Sequence, residues 1–375
     1  MMKVLFLGEY SGVFMELSKG LNRLGVETFR ISSGDSFKKY SADYLINFKK
    51  TNRLNSVLSS FMGFSHFFCF IRIWPELKSK INDYDIVQLI NPRFFPFGDL
   101  INMYILYYVS KHNGRIFLSV LGDDYYVDKW NYKYNNKMPL YASRSLKKQL
   151  SKQGLWGKLL TDYCLAKCSG IIPGAMYYKF PYQWSSKLCS VIPFACDEKL
   201  IGTPFVIKDS EPVFIFHGWQ KGKESRKGND VFDRVLRKVA DKYGDKVIYK
   251  VVQNVPFDEY QNMYKSCHIF IDQLYAYDKG TNGMYGMAAG KVVFSGFQKE
   301  CLEAYSHYHG NEIGVAASLN EDVLYDQFCS IIEDRKRMES ISINAILFVR
   351  ENHEATVVAR QLMNIWNGLT CEQSK

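Results

Sequence analysis

Short apolar runs alternate with helix-spaced segments along almost the whole chain, and few architectures accommodate that rhythm. "KVLFLG" reads as a buried strand, "EYSG" as a turn, and "VFMELSKGLNRLG" sets Phe14, Leu17, Leu21 and Leu24 at helical spacing. "VETFRIS" then returns as a strand. "YDIVQLI" follows a helical stretch, "GRIFLSVLG" follows "LINMYILYYVSKH", and "CSGIIPG" follows "LLTDYCLAKC". Strands alternating with helices in this way imply a parallel sheet covered by helices on both faces.

The rhythm breaks once, at "KLCSVIPFACDEKLIGTPFVIKDSEP", where Pro193, Pro204 and Pro212 sit among scattered polar residues. A second α/β series follows: "VFIFHG", "NDVFDRVLRKVADKYG", "KVIYKVV", "FDEYQNMYKSC", "HIFIDQ" and "KVVFSG", with a helical end from about Glu321. At 375 residues the chain exceeds one ordinary domain. The expectation is two Rossmann-like domains, 1–202 and 203–375, facing each other across a cleft. The final helix, about 351–369, is expected to close back toward the N-terminal domain.

Several classes are excluded by what the chain lacks. Nine cysteines show no C-x2-C pair. Cys164 and Cys168 share a helix face and read as reduced thiols of a cytoplasmic protein. His307 and His309, in "YSHYHG", have no neighbouring ligand set, so no metal site is expected. The N-terminal apolar run is too short for a signal peptide. The longest hydrophobic stretch, "SFMGFSHFFCFIRIW", is broken by Gly63, Ser65, His66 and Arg72, short of the roughly 18 apolar residues of a membrane span.

The formal charge of +10 is unevenly placed. Between Tyr126 and Leu160, Lys129, Lys133, Lys137, Arg144, Lys147, Lys148, Lys152 and Lys158 face Asp128 alone. Trp130, Tyr132, Tyr134, Leu155 and Trp156 interleave with them. A solvated helical face gives such a run, and so does a surface for anionic lipid headgroups or a phosphate-bearing substrate. No nucleic-acid motif accompanies the charge, so nucleic acid is not expected as a partner.

Ligands in open parallel sheets bind where loops leave the carboxyl ends of strands. Three such loops stand out. "GEYSG", Gly8 to Gly12, opens the first helix without a full dinucleotide fingerprint; a tight turn alone would also account for it. "HGWQKGKESRKGND" brings Lys221, Lys223, Arg226 and Lys227 to the start of a helix whose N–H groups and dipole suit an anion, yet it lacks the P-loop pattern. In "IDQLYAYDKGTNGMYGMAAGKVV", Gly280 and Gly283 let backbone approach a ligand, Thr281 or Asn282 is expected to cap the next helix, and Asp272 faces the same crevice.

The order of these segments resembles two-domain (GT-B) glycosyltransferases of the family-4 kind over nearly the whole chain. "FLSVLGDD" resembles that family's "HGSD"-like segment, "VIPFACD" its "VIPNGVD", and "MYGMAAGKVV" its "EAMAxGKPVV". The chain departs from the family in four places. Tyr277 and Tyr285 stand where the family carries Glu-x7-Glu, Trp219 falls at the family's Arg with Arg226 as replacement, and Leu121 falls near its histidine.

The resemblance implies a retaining, metal-independent transferase that needs no cofactor and moves a sugar from a nucleotide-sugar donor to a glycan or lipid-linked acceptor, in surface polysaccharide biosynthesis. Arg226 and Lys227 would stabilise the leaving diphosphate, and Asp123 or Asp124 would orient or deprotonate the acceptor hydroxyl. Donor-binding residues would be Gly8, Ser11, Gly12, His217, Gly218, Gln253, Asn254, Asp272, Gly280, Thr281, Asn282, Gly283 and Tyr285. Lys129, Trp130, Lys147, Lys148, Lys152 and Trp156 would form an acceptor or membrane surface, making the protein peripheral on the inner face of the cell membrane. The alternatives are a non-catalytic scaffold with a decayed site and a nucleotide-sugar epimerase.

Overall fold

The computed structural model describes residues 1–35, 40–46, 67–134, 146–219, 221–253, 255 and 257–368, without the side chains at 146, 148, 149, 225, 226, 257–259 and 261. The chain divides into two compact units: Met1–Tyr132 with Lys147–Ala195 and Ala355–Lys375, and Cys196–Glu354 with Lys133–Leu146.

The first unit contains β1 (Lys3–Leu7), α1 (Val13–Arg23), β2 (Glu27–Ser32), β3 (Tyr44–Leu45), α2 (Phe67–Lys80), β4 (Ile86–Leu89), α3 (Asp99–His112), β5 (Arg115–Val120), α4 (Tyr125–Tyr134), α5 (Leu146–Lys167), β6 (Gly170–Pro173) and α6 (Met176–Lys179). Its six strands are all parallel, in the order β3-β2-β1-β4-β5-β6. Val4 to Leu7 are fully buried because β1 lies in the middle of this sheet. Connections run one way from β1 to β3 and the other way from β4 to β6. Right-handed crossovers therefore place α1 on one face and α2, α3 and α5 on the other.

The second unit contains β7 (Val213–Trp219), α7 (Glu224–Lys227), α8 (Asn229–Tyr243), β8 (Val247–Gln253), α9 (Phe257–Lys265), β9 (Ile269–Ile271), α10 (Thr281–Ala288), β10 (Val292–Ser295), α11 (Lys299–Leu302), β11 (Val315–Ala316), α12 (Glu321–Glu333) and α13 (Arg335–Asn352). Its parallel sheet has the order β11-β10-β9-β7-β8. Phe232, Leu236, Phe294 and Phe328 fill the core between this sheet and α8 and α12. The short strands β3 and β11 extend the two sheets at their edges; two residues are too few to leave a periodic signal in the sequence.

The last helix, α14 (Ala355–Trp366), belongs to the first unit and packs on α1. A Cβ on Gly20 would lie 2.0 Å from the Ala355 carbonyl oxygen, so only glycine permits the approach. Trp366 is fully buried and its indole N–H donates to Gln88 Oε1 (3.1 Å), while Gln88 Nε2 donates to Ser119 Oγ (2.7 Å). A buried amide in the central strand β4 is thus satisfied by the last helix of the chain. Trp366→Ala is expected to destabilise the first unit by about 3–5 kcal/mol, through the cavity and the lost bond; the shift in its urea midpoint measures this.

Candidate functional site

The strand order makes the junction of β7 and β9 a switch point, because the chain leaves these neighbours in opposite directions and their loops part at the carboxyl ends. The two loops are stitched together there by the Leu274 N–H, which donates to the Lys227 carbonyl (2.8 Å). Gly228 holds φ +65°, and a Cβ on it would lie 2.6 Å from Leu274 Cβ, so glycine is required on both counts. Lys227 Nζ stands 3.8 Å from Asp272 Oδ1. Asp272 is buried; its Oδ2 accepts from Ser295 Oγ (2.7 Å) and the Gly280 N–H (3.1 Å), while among the described residues no hydrogen bond reaches Oδ1.

Gly280 is the residue that caps α10, through its backbone. Neither Thr281 nor Asn282 caps the helix as expected: Thr281 is its first residue, and Asn282 Oδ1 accepts from the Tyr260 hydroxyl (3.3 Å). Among the described residues none accepts from the N–H groups of Thr281, Asn282 and Gly283. Gly283 is glycine because a Cβ there would come within 2.6 Å of Asp272 Oδ2. The result is a helix N-terminus with open donors, flanked by the Lys227 ammonium, an arrangement that attracts an anion.

The back of the same loop is held by a buried charge cluster. Lys279 Nζ donates to the Tyr305 hydroxyl (2.8 Å), which donates on to Asp278 Oδ2 (3.0 Å); Asp278 Oδ1 accepts from the Lys279 backbone N–H (2.8 Å). The ammonium lies 4.0 Å from the Tyr305 ring centroid and 4.9 Å from that of Phe348. Burial lowers the Lys279 pKa and Asp278 opposes the shift. Buried charges are tolerated when paired and hydrogen-bonded in this way, and removing one partner is costly.

His217 is not open to a ligand as expected. It is fully buried, with Nδ1 2.8 Å from the Tyr249 hydroxyl and Nε2 2.9 Å from Asn229 Nδ2. The Tyr249 hydroxyl donates to Asp233 Oδ1 (2.9 Å), so it accepts from His217 Nδ1–H, and Nε2 must accept from Asn229. The chain from Asp233 through Tyr249 and the fully buried His217 orients Asn229 at the start of α8. Gly218 is likewise a packing glycine: a Cβ would lie 2.3 Å from the Tyr260 hydroxyl. Gln253 is exposed at the end of β8, and Tyr285 is buried within α10. Asn254 and the Arg226 side chain lie outside the described residues.

In the first unit, β1 and β4 form the corresponding switch point. Gly8, Ser11 and Gly12 all adopt positive φ. The first turn of α1 is already occupied: Glu9 accepts from the Met15 (2.9 Å) and Phe14 (3.3 Å) N–H groups, and Val13 N donates to the Tyr10 carbonyl (3.1 Å). Burial pushes the Glu9 pKa up to about 8. The expected phosphate contact at Gly8 to Gly12 therefore meets a site already filled by the protein's own carboxyl group. Asp124 caps α4 instead of facing the crevice as a base; it accepts from Tyr126 N and Val127 N (both 2.9 Å) and from the Tyr182 hydroxyl (2.7 Å). Asp123, half-buried beside it, is the other carboxyl group at this strand end.

Lys129, Lys147, Lys152 and Trp156 are exposed, while Trp130 stacks on Phe180 with ring centroids 5.6 Å apart. The Lys148 side chain lies outside the described residues.

Two parallel α/β units, each with its switch point and with the last helix returning to the first unit, make up the GT-B fold. No family model and no curated protein sequence matches the chain. Solved structures do. Sucrose-phosphate synthase from Thermosynechococcus elongatus is 11% identical with a TM-score of 0.60, over 98% of this chain and 99% of that one. Anabaena HepE, solved in complex with UDP and glucose, is also 11% identical with a TM-score of 0.60, over 98% of this chain and 100% of its own. A Listeria monocytogenes protein described as a UDP-N-acetylglucosamine 2-epimerase is 9% identical with a TM-score of 0.54, over 100% and 98%.

Sequence reading missed Glu9, Tyr260, Ser295 and the Asp278–Lys279–Tyr305 cluster. Only Glu9 carried a signal, an acidic side chain just before a helix start. Burial depresses the His217 pKa to about 4. Above pH 6.5 the imidazole is neutral in both folded and unfolded chains. Between 6.5 and 4 only the unfolded chain takes up the proton, so stability falls as pH falls through that window, by up to about 3 kcal/mol. Urea midpoints of the second unit against pH should show this slope in the wild type and a smaller one in His217→Gln; identical slopes would contradict it.

Proposed function

We propose that the protein is a glycosyltransferase that takes a nucleotide-activated sugar as donor and a glycan or lipid-linked glycan as acceptor. The observation that carries this reading is the set of open N–H groups at the start of α10 with Lys227 beside them. The leaving group of such a reaction is a nucleoside diphosphate, and preorganised donors aimed at its developing charge supply the main electrostatic stabilisation. Lys227 and Arg226 act on that charge without a metal ion, and backbone N–H groups of Thr281 to Gly283 share it. Gln253 and Asn254 read the base edge.

Asp123, at the end of β5, orients the acceptor hydroxyl. The configuration of the sugar is retained, with the donor phosphate helping to take the hydroxyl proton. The reaction belongs to surface polysaccharide assembly on the cytoplasmic side of the membrane. The similarity to HepE, solved with UDP and glucose, supports the donor class. The similarity to the Listeria protein favours epimerisation as the second reading, and release of a changed sugar without any acceptor separates the two. Tyr277 and Tyr285 in place of two glutamates are the argument for a scaffold that binds no nucleotide.

Calorimetry with UDP, GDP, ADP and CMP should find one ligand, bound about tenfold to a hundredfold more weakly by Lys227→Ala, the usual cost of a charge-assisted contact. Binding of none at millimolar concentration selects the scaffold. Asp123→Asn should leave nucleotide affinity unchanged and lower the transfer rate by about 10²-fold or more; an unaltered rate removes Asp123 from the reaction.

A further inference from the structure

The helical layer on one face of the first unit has an apolar outer surface. On α2, Phe68 and Ile71 are 61% and 52% exposed; on α3, Tyr104 and Tyr107 are 48% and 51% exposed. Helix α5 breaks at Gly154 (φ 57°, ψ −167°), and just past the break Leu155 is 68% exposed and Trp156 and Leu159 are each 38% exposed. Scattered surface apolar residues are ordinary, but these lie on neighbouring helices of one layer. Trp74 joins α2 to α3 by packing on Tyr104 and Tyr108, at 5.1 and 5.2 Å between ring centroids. Apolar side chains gathered on one helical layer in this way mark interaction surfaces.

The charges around the patch are mostly of one sign. At one rim Lys78, Lys111 and Lys167 lie over the rings of Tyr108, Tyr107 and Tyr163, at 5.2, 6.0 and 5.6 Å. At the other rim are Lys147 and Lys152, both exposed. Of the acidic groups on these helices, Asp162 is held by Lys158 (2.6 Å) and Tyr126 (2.7 Å), and Asp99 by Arg93 (2.6 Å), leaving Glu76 exposed. Tyrosine and tryptophan flanked by lysine suit the boundary between headgroups and acyl chains, where an aromatic body is buried and cations meet anionic lipid.

We propose that the outer face of α2, α3 and α5 docks the protein onto an anionic bilayer. Phe68, Ile71 and Leu155 lie near the starts of their helical segments, and helices in a parallel α/β unit start at the sheet end where the strands' carboxyl ends open. The docked face therefore flanks the end of the unit that carries Asp123, and a lipid-linked acceptor reaches that residue from the membrane without leaving it. The purpose assigned to the surface rests on the proposed acceptor class, but docking itself requires no nucleotide.

Co-sedimentation with vesicles of equal parts phosphatidylglycerol and phosphatidylcholine tests the proposal. The wild type should pellet with these vesicles and much less with phosphatidylcholine alone. Ile71→Ser/Tyr104→Ser/Leu155→Ser should reduce binding about tenfold or more, with an unchanged melting temperature showing that the fold survives. Lys111→Gln/Lys152→Gln/Lys167→Gln should weaken binding in proportion to the phosphatidylglycerol content. Equal pelleting by the wild type and the serine variant overturns the proposal. So does light scattering that finds a wild-type dimer converted to monomer by the serine substitutions, which assigns the face to a second copy. Vesicle binding without nucleotide binding would leave the docking surface standing and remove the transferase reading; the reverse result would do the opposite.

Discussion

The carboxylate of Asp272 organises the carboxyl end of the second sheet. One oxygen takes the Ser295 hydroxyl and the Gly280 N–H, which fixes where the loop after β9 turns into α10. The other faces Lys227 across 3.8 Å. Because that carboxylate needs room, residue 283 has no side chain. The Gly280 N–H is turned back onto it, and the three N–H groups that follow, at the start of α10, have no protein acceptor among the described residues. A single buried acid thus explains Gly283 and fixes the turn at Gly280, and the Asp278–Lys279–Tyr305 cluster holds the same loop from behind.

The two units contrast at their helix starts. Both begin a helix at a switch point through a glycine-containing loop. In the first unit Glu9 fills the helix start with the protein's own carboxyl group, which takes the Phe14 and Met15 N–H groups. In the second the acid stands one step back, bound to the loop, and the helix start remains open. Donors for an anion are open at α10, whereas those at the start of α1 are taken by Glu9.

Most of the architecture was legible because α/β periodicity is a local signal: every strand but the two-residue β3 and β11 shows as an apolar run, and the helices between them show their spacing. That Lys227, Asp272 and Gly280 to Gly283 come together was legible because residue type and loop position coincide there. Others failed for a common reason. His217, Gly218 and Asp124 sit at strand ends just as ligand-binding residues do, but their surroundings come from distant segments. His217 is bound by Tyr249 and Asn229, Gly218 is covered by Tyr260, and Asp124 is reached by Tyr182.

The sequence by itself determined that the chain builds two parallel α/β units with glycine-containing loops at the strand ends and a cation-rich approach to the second. Those properties reside in residue type and spacing, which act over a few residues. Only the tertiary structure decided which helix start is open and which is closed, that Asp124 caps α4, and that α14 completes the first unit by satisfying Gln88. These outcomes depend on hydrogen bonds between residues far apart in the chain, and no local pattern encodes which distant donor will reach a buried acceptor.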